Sequence, residues 1–378
     1  MNVLVINSGS SSIKFQLVDV KSEKVLIKGR ADAIGLATSY LLVGKKEIKQ
    51  KIKNHEQGIK LILDLLKNFK IDAIGHRVVH GGEFFKSATK ITDSVIKKID
   101  MCSDLAPLHN PNNLVGIRAC EKVMPKVKQV AVFDTSFHQT LSKEIYLYGI
   151  PIEFYEKYGI RKYGFHGPSH EYIMNQVQKE LNKKNVNMIS CHLGNGASVT
   201  AIRDGKSVDT SMGFTPIAGV MMGTRCGDMD LGIVPFLSAK LNKGVKEILG
   251  IFNNQSGLKG IAGESDVRTL REGIAKGNKQ FELAIDMFCY RVALYVGAYY
   301  SILPSVDAIT FTAGIGENES FIREKIINNL AGLGLKLDDK LNKENNKIIS
   351  SKTSKAKIMV IPTNEELMIA KETEKILK

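Results

Sequence analysis

MNVLVINSGSSSIKFQL, residues 1–17, is the stretch that decides the fold. An apolar run leads into a tip that spans residues 7–12, and an alternating run follows, with Lys14 just past the tip. This pattern predicts two short strands joined as a hairpin. The glycine and serine residues of the tip offer backbone N–H groups and hydroxyls, the donors that anionic oxygens need. Because Asn, Gly and Ser are also ordinary hairpin-turn residues, this tip alone fits a plain turn equally well.

The same architecture recurs at residues 188–202, MISCHLGNGASVTAI, with a Gly-Asn-Gly turn between an apolar and an alternating run. A third glycine-rich turn, TAGIGEN at 312–318, ends the apolar run AITFTAG. The two similar hairpins each lead a segment of domain size, which indicates an internal duplication. Three such turns in one chain favour a nucleotide held between two similar halves.

Hydrophobic periodicity predicts strands alternating with helices along the whole chain. The strands are expected at 2–7, 13–20, 71–79, 128–133, 187–192, 197–203, 306–312 and 356–361, and the helices at 56–69, 111–124, 168–182, 279–303 and 363–378. This order predicts an α/β fold in which helices cover a sheet. A chain of 378 residues fits two domains better than one.

Composition excludes several classes of protein. Hydrophobic residues at 43% and charged residues at 24% are typical of a globular protein. The longest apolar stretch, 292–304, is shorter than the roughly 20 residues of a membrane span, and the start lacks a secretory pattern. Five cysteines without a CxxC pair indicate neither a zinc ribbon nor a disulfide framework. We therefore expect a cytoplasmic protein with no membrane partner.

The formal net charge of +14 raises the question of nucleic-acid binding. The lysines are scattered and interleaved with acidic residues, which is typical of a solvated surface rather than of a nucleic-acid footprint. A general basic field would still gather small anions such as a nucleoside triphosphate. We expect no nucleic-acid partner.

Histidine and arginine mark the candidate site. Seven of the eight histidines lie in turn-rich segments, so we expect them at the ends of elements, where binding loops lie. The i, i+4 pairs His76/His80 and His166/His170 are weak metal signals, because glycines intervene and no HExxH pattern is present. Arg77 and Arg225 also lie in such segments, and a guanidinium matches a carboxylate or phosphoryl group bidentately.

Ten motifs in the same order give the chain a family resemblance. They are VLVINSGSSSIKF, GHRVVHGGE, APLHNP, FDTSFH, YGFHGPSH, HLGNGASV, DTSMGFTP, MMGTR, TAGIGEN and PTNEEL. With these motifs the chain resembles the acetokinase family, in the superfamily of acetate and sugar kinases, Hsp70 and actin, over essentially its whole length. The resemblance implies two ribonuclease-H-like (actin-like ATPase) α/β domains with the active site in the cleft between them. It also implies lobes at 1–148 plus 364–378 and at 149–363, the second binding nucleotide and forming a homodimer.

The activity that the resemblance implies is reversible, direct transfer of the ATP γ-phosphoryl group to acetate, giving acetyl phosphate and ADP. Family correspondence puts Mg²⁺, or Mn²⁺ in its place, on Asn7 and Glu365, and the acetate carboxylate on Arg77. His166 and Arg225 would hold the phosphoryl group in flight, and Asp134 is the third catalytic residue. This division suits a loose transition state stabilised by position and charge.

The remaining implied site residues form two groups. The acyl pocket would be Val79, Leu108, Phe165 and Pro216, and the nucleotide would contact Ser10, Ser12, Lys14, His192, Leu193, Gly194, Asn195, Gly196, Asp266, Val267, Arg268, Gly314, Ile315, Gly316, Glu317 and Asn318. One methylene in such a pocket changes discrimination by only about 1–3 kcal/mol. A propionate or butyrate kinase of the same family therefore stays open as an alternative.

Two site residues invite a physical argument of their own. Thr363 and Glu366 fit a capping box at the start of the last helix, which would leave Glu365 for the ion. A small carboxylic acid with a pKa near that of glutamate, about 4.3, is already ionised near neutrality and needs no base. We therefore hypothesise that Asp134 orients a metal-bound water or an arginine.

Departures from the family pattern lie near Arg225: Ala218 in place of a common Glu, Leu231 in place of a frequent Pro, and Cys226 directly after the arginine. Their effect on the loop is an open question, as is the physiological direction of the reaction. An alternative of another class is a nucleotide-binding sensor without transfer. The joint presence of Arg77, Asp134, His166 and Arg225 argues against it, and no GxxxxGK[ST] P-loop is present.

Overall fold

The computed structural model describes residues 1–378, which form two compact units. Unit 1 comprises Met1–Gln139, Gly167–Ser169 and Asn364–Lys378, and unit 2 comprises Thr140–His166 and His170–Thr363. Unit 2 begins before the expected boundary at 148. The Thr140 hydroxyl donates to the Ser207 carbonyl at 2.6 Å, and the Tyr148 hydroxyl accepts from Phe214 N at 2.8 Å, which ties 140–148 to unit 2.

Thirteen strands form two sheets. They are β1 (Asn2–Ser8), β2 (Ile13–Asp19), β3 (Lys24–Asp32), β4 (Tyr40–Val43), β5 (Lys46–Lys49), β6 (Ala73–Val78), β7 (Thr89–Lys90), β8 (Lys128–Phe133), β9 (Met188–Leu193), β10 (Ala197–Arg203), β11 (Lys206–Thr210), β12 (Ala308–Thr312) and β13 (Lys357–Val360).

Fifteen α-helices accompany them. They are α1 (His55–Leu66), α2 (Asp93–Met101), α3 (Asn110–Val123), α4 (Lys143–Tyr146), α5 (Ile152–Tyr158), α6 (Gly167–Glu180), α7 (Ile233–Leu241), α8 (Val245–Asn254), α9 (Gly257–Ala262), α10 (Val267–Ala275), α11 (Lys279–Ile302), α12 (Ala313–Asn318), α13 (Ser320–Asn328), α14 (Asp339–Lys343) and α15 (Glu365–Leu377). All of the helices and strands expected from periodicity are present. No helix is long and apolar enough to cross a bilayer.

The two sheets share one strand order. The sheet of unit 2 runs β11-β10-β9-β12-β13, an antiparallel meander followed by two parallel strands. The sheet of unit 1 contains the same arrangement as β3-β2-β1-β6-β8, extended by β4 and β5 at one edge and by the short antiparallel β7 at the other. The predicted duplication and the α/β fold class are confirmed by this repeat.

Alternation along β1 explains how both faces of the unit 1 sheet are covered. Leu4 and Ile6 pack into a cluster with Ile59 and Ile62 of α1. The opposite face carries Gly75 of β6, where an added Cβ would lie 2.5 Å from Thr373 Oγ1 and 2.9 Å from Ile369 Cγ2 of α15. The helix therefore lies directly against the strand backbone.

Helix starts depend on side chains that accept backbone N–H groups. For α15 the cap is Asn364, whose Oδ1 accepts from Leu367 N at 3.0 Å. The predicted capping box of Thr363 and Glu366 is therefore wrong, because the helix begins at Glu365 and the residue before it supplies the acceptor. The prediction of a turn at 312–318 is also wrong, because a short helix, α12, begins directly after Thr312.

Candidate functional site

The carboxyl ends of two neighbouring parallel strands in unit 1 bring three charged groups together. Arg77 is near the end of β6, Asp134 follows β8, and Glu365 begins α15. Arg77 Nε and Nη2 donate to the two carboxylate oxygens of Asp134, both at 2.8 Å, and Nη1 lies 3.3 Å from Glu365 Oε2. The guanidinium thus binds one carboxylate bidentately and faces a second.

Burial and the neighbouring charges shift the pKa values of Arg77 and Glu365 in opposite directions. Burial alone would lower the pKa of Arg77, but the charges of Asp134 and Glu365 raise it above its ordinary value. For Glu365, burial raises the pKa, and the Arg77 charge opposes this increase. Arg77 therefore stays protonated. Its pairing with Asp134 agrees with the part of the hypothesis in which Asp134 orients an arginine.

The hairpin tip of unit 1, residues 9–12 and here called the first tip, is an open turn. Gly9 N donates to Ser12 O at 2.8 Å, and His55 Nε2 lies 2.8 Å from Gly9 O. Ser10 and Lys14 are exposed, while Ser12 is half-buried. Lys14 is the register partner of Asn7, and both line a groove of 240 Å³ with Glu366. Hydroxyl, amide and ammonium groups are therefore accessible here.

The hairpin tip of unit 2, residues 194–196 and here called the second tip, is packed by functional side chains. The position that a Cβ on Gly196 would occupy is 3.4 Å from Arg225 Nη1 and 3.5 Å from His166 Nε2. His166 also stacks on His192, with ring centroids 4.2 Å apart. The structure thus brings together, within unit 2, predicted catalytic and nucleotide-binding residues that are distant in sequence.

Backbone contacts position Arg225. Gly223 N donates to Asn195 O at 3.0 Å, which joins the arginine loop to the second tip. Asp228 accepts from Gly219 N at 2.7 Å and from the Tyr295 hydroxyl of α11. Burial lowers the pKa of Arg225. A desolvated guanidinium on a braced loop is a strong donor for an oxyanion.

The segment 314–318 is braced by a side chain that the sequence did not mark. Arg323 of α13 is fully buried, and its Nη1 donates to Gly316 O at 2.9 Å and to Glu317 O at 3.1 Å. Its Nε and Nη2 donate to Asn342 Oδ1, Asn342 O and Asn345 Oδ1. All five N–H groups of the guanidinium are used on neutral oxygens. A buried basic residue in an ordinary helix pattern gives no sequence signal of this role.

The turn at 266–268 begins α10, whose Arg271 pairs with Glu319, the residue directly after the segment 314–318. Asp266 caps α10 by accepting from Arg268 N at 2.9 Å, and the Arg268 side chain folds back onto the same carboxylate. The hydrogen bonds from Arg268 lower the pKa of Asp266 to about 2. Val267 is buried in the first turn of the helix, so only the two charged residues face solvent.

The expected acyl-pocket residues are divided between the units. Val79, half-buried, and Leu108, 69% exposed, belong to unit 1. Phe165, buried, and Pro216, half-buried, belong to unit 2, where the Pro216 carbonyl accepts from Arg225 Nη1 at 3.3 Å. Each unit therefore carries two of the four residues.

One expectation about the histidines is wrong. His76 lies in the middle of β6, buried, with Nε2 2.6 Å from Gln129 Oε1 on the neighbouring strand, and burial lowers its pKa to about 4. It is a core residue because the strand runs through its position. No group of three or more His, Cys, Asp or Glu side chains is arranged to hold a metal ion.

Comparison with known proteins gives a consistent result. The model of the acetokinase family matches residues 2–371. The acetate kinase of Halothermothrix orenii is 50% identical, covering 100% of both chains. The solved structure of a propionate kinase from Francisella tularensis subsp. tularensis SCHU S4 is 44% identical, covers 99% of both chains and has a TM-score of 0.97. An acetate kinase structure from Porphyromonas gingivalis is 40% identical, covers 100% of both chains and has a TM-score of 0.95.

Proposed function

The chain belongs to the acetokinase family, and from this premise we propose that it transfers the ATP γ-phosphoryl group reversibly to acetate by direct in-line displacement. The products are acetyl phosphate and ADP. The observation that carries the proposal is the convergence of His166 Nε2 and Arg225 Nη1 on Gly196 of the second tip. Two cationic or N–H donors beside a glycine turn suit a phosphoryl group with charge on its equatorial oxygens.

Unit 1 supplies the acceptor end of the reaction in this proposal. Arg77 binds the acetate carboxylate, and Asp134 holds its guanidinium through two hydrogen bonds of 2.8 Å. Because acetate is already ionised at neutral pH, the carboxylate of Asp134 serves to fix and charge-balance the arginine. A fixed acetate oxygen attacks the terminal phosphorus with little loss of orientational entropy.

Unit 2 supplies the nucleotide and the phosphoryl group. The residues proposed to contact ATP are those of the second tip with His192 and Leu193, the turn 266–268, and 314–318, while Ser10, Ser12 and Lys14 of unit 1 meet the phosphates. Close approach of a backbone to phosphate oxygens is easiest at glycine. Arg225 and His166 stabilise the transferring group, whose charge peaks in the transition state.

Asn7 and Glu365 fit a Mg²⁺ site by their chemistry. Both offer oxygen ligands, and the Asn7 side chain has no hydrogen-bond partner in the protein. Mg²⁺ is commonly held by one or two carboxylates together with substrate phosphates, so one carboxylate and one amide oxygen are enough for the proposed site. When bound, the ion neutralises charge on the phosphates; Mn²⁺ would serve in its place.

Propionate is the second candidate acceptor, and a specific observation favours it: the propionate kinase structure that matches at a TM-score of 0.97. Leu108 is 69% exposed, so its side chain can adjust to a longer acyl group. We propose acetate as the preferred acid and propionate as a slower one.

We also propose a homodimer formed through unit 2. Large apolar side chains are exposed on two groups of helices: Phe236, Leu241, Val245 and Leu249 on α7 and α8, and Leu283, Tyr290 and Leu294 on α11. Exposed apolar surface of this extent is typical of a protein interface. Light scattering on the purified protein and on Leu294→Glu tests this proposal. If the variant has the same mass as the wild type, α11 is not part of the interface.

All five cysteines are unpaired, which supports the proposed cytoplasmic location.

The central test traps acyl phosphate with hydroxylamine. Purified protein, ATP and Mg²⁺ are incubated with acetate, propionate and butyrate in turn, and hydroxamate is measured. We expect the order acetate, propionate, butyrate, and no product from Arg225→Ala. If the protein binds nucleotide but forms no hydroxamate with any of the acids, it is a nucleotide-binding sensor and not a kinase.

A further inference from the structure

A chain of hydrogen bonds leads from His166 into the buried core of unit 2. His166 Nδ1 lies 2.9 Å from Ser198 Oγ, and the same oxygen lies 2.8 Å from His170 Nε2. The other nitrogen of His170, Nδ1, lies 2.9 Å from Ser190 Oγ. Ser190 is on β9, Ser198 on the adjacent β10 and His170 on α6, so three elements carry the chain.

The chain is shielded from water beyond its first member. Ser190, Ser198 and His170 are each fully buried. Charging an imidazole in such an environment costs desolvation energy, so the neutral form of His170 is favoured. A neutral imidazole has one N–H donor and one acceptor nitrogen, and a hydroxyl has one donor.

The chain can run in either direction, but the direction in which His170 Nδ1–H donates to Ser190 leaves the proton of the fully buried Ser190 hydroxyl without an acceptor in the chain. The opposite direction gives every hydroxyl proton an acceptor. The Ser190 hydroxyl donates to His170 Nδ1, and His170 Nε2–H donates to Ser198 Oγ. The Ser198 hydroxyl then donates to His166 Nδ1. This leaves the proton of His166 on Nε2, the nitrogen that lies near Gly196 of the second tip.

We propose that Ser198 and His170 are positioning residues that select the Nε2–H tautomer of His166 and hold its ring for the phosphoryl group. The inference rests on the proposed function for its kinetic consequence, but the tautomer belongs to the free protein. His166 then acts as a neutral hydrogen-bond donor to the transferring group, and Arg225 supplies the positive charge.

The direct test is ¹⁵N NMR of histidine side chains in the full-length protein without substrate, above the usual imidazole pKa of about 6.5. The His166 resonances are assigned by their loss in His166→Asn. We expect an unprotonated Nδ1 and a protonated Nε2 in the wild type, and a mixture of tautomers in Ser198→Ala. A protonated Nδ1 in the wild type would overturn the proposal whether or not the protein makes acetyl phosphate.

The kinetic test compares Ser198→Ala with Thr200→Val. Thr200 is also fully buried on β10, and its hydroxyl lies 2.9 Å from Thr210 Oγ1. We expect kcat of Ser198→Ala to fall roughly 10- to 100-fold, by analogy with the loss of hydrogen-bond partners that orient metal-binding imidazoles, with little change in KM for ATP. Ser198→Thr, which keeps the hydroxyl, should recover most of kcat. If kcat falls equally in Ser198→Ala and Thr200→Val and is not restored in Ser198→Thr, Ser198 contributes only packing and the proposal is wrong.

Discussion

The two hairpin tips occupy equivalent places in the two sheets, yet they carry different chemistry. The first tip is an open turn with an exposed Ser10, and the exposed Lys14 follows it in β2. The second tip is joined to the Arg225 loop through Asn195 O and faces Arg225 and His166. The strand order is the same in both units, so topology alone does not make a phosphoryl site. The loops and helices that pack against the tip decide what it can bind.

The first prediction compares a methyl group added in the first tip with one added on the Arg225 loop, where it faces the second tip. A Cβ on Gly223 would lie 2.1 Å from Asn195 Oδ1 and 3.3 Å from its carbonyl oxygen, so Gly223→Ala must turn the Asn195 side chain out of its place and crowds the backbone of the second tip. A Cβ on Gly9 would lie 3.2 Å from Ser12 Oγ, a hydroxyl that can rotate away. Because a displacement of about 1 Å can cost about 100-fold in rate, we expect that loss in hydroxamate formation for Gly223→Ala and a far smaller one for Gly9→Ala. Similar losses would contradict the contrast.

Asp134→Asn tests the chemistry of unit 1. The amide keeps the shape but removes the charge opposite Arg77, which loses a bidentate, charge-assisted pair. Such hydrogen bonds contribute about 1.5–3 kcal/mol, so we expect activity to fall about 10- to 100-fold, with a raised KM for acetate. Raising the pH should restore nothing. Recovery at high pH with normal Mg²⁺ dependence would instead make Asp134 a base.

Arg323→Lys tests whether the support beneath 314–318 matters for nucleotide binding. A lysine keeps the charge but has three donors on one nitrogen, so it cannot serve the carbonyls of Gly316 and Glu317 and both asparagines. We expect KM for ATP to rise about 10-fold, the effect of losing about 1.4 kcal/mol, while KM for acetate stays the same. The matched control on the same helix is Lys325→Gln, which removes a surface pair with Asp286 and should change neither constant.

The smallest expected effect at neutral pH is on stability, and it comes from one buried histidine in the unit 1 sheet. His76 lies in β6, whereas β12, its counterpart in unit 2, has no titratable side chain. Burial lowers the pKa of His76 to about 4, so from about pH 6.5 down to 4 the unfolded chain binds a proton that the folded chain refuses. Stability therefore decreases as the pH falls through this window. Denaturant unfolding of the wild type and His76→Asn checks this, and an identical pH slope for both would exclude His76 as a source.

Sequence reasoning predicted eight of the strands and the five longest helices, and it paired the two hairpins correctly. It did not find β3, β4, β5, β7 or β11, whose burial patterns are mixed because they lie towards the sheet edges, and it missed shorter amphipathic helices such as α2, α8 and α10. Motif matching picked out Arg77, Asp134, His166 and Arg225, which lie in the motifs GHRVVHGGE, FDTSFH, YGFHGPSH and MMGTR. Ser198, His170 and Arg323 act through other residues, and only three-dimensional contacts identify them.

The packing of α15 against β6 has a consequence for synthesis on the ribosome. The face of β6 around Gly75 is covered by Ile369 and Thr373, nearly three hundred residues later in the chain. An emerging polypeptide therefore carries this apolar surface bare while all of unit 2 is being made. Translation of the final helix is the event that completes the amino-terminal fold, so a premature stop codon just before residue 364 would damage the part of the enzyme that was built first.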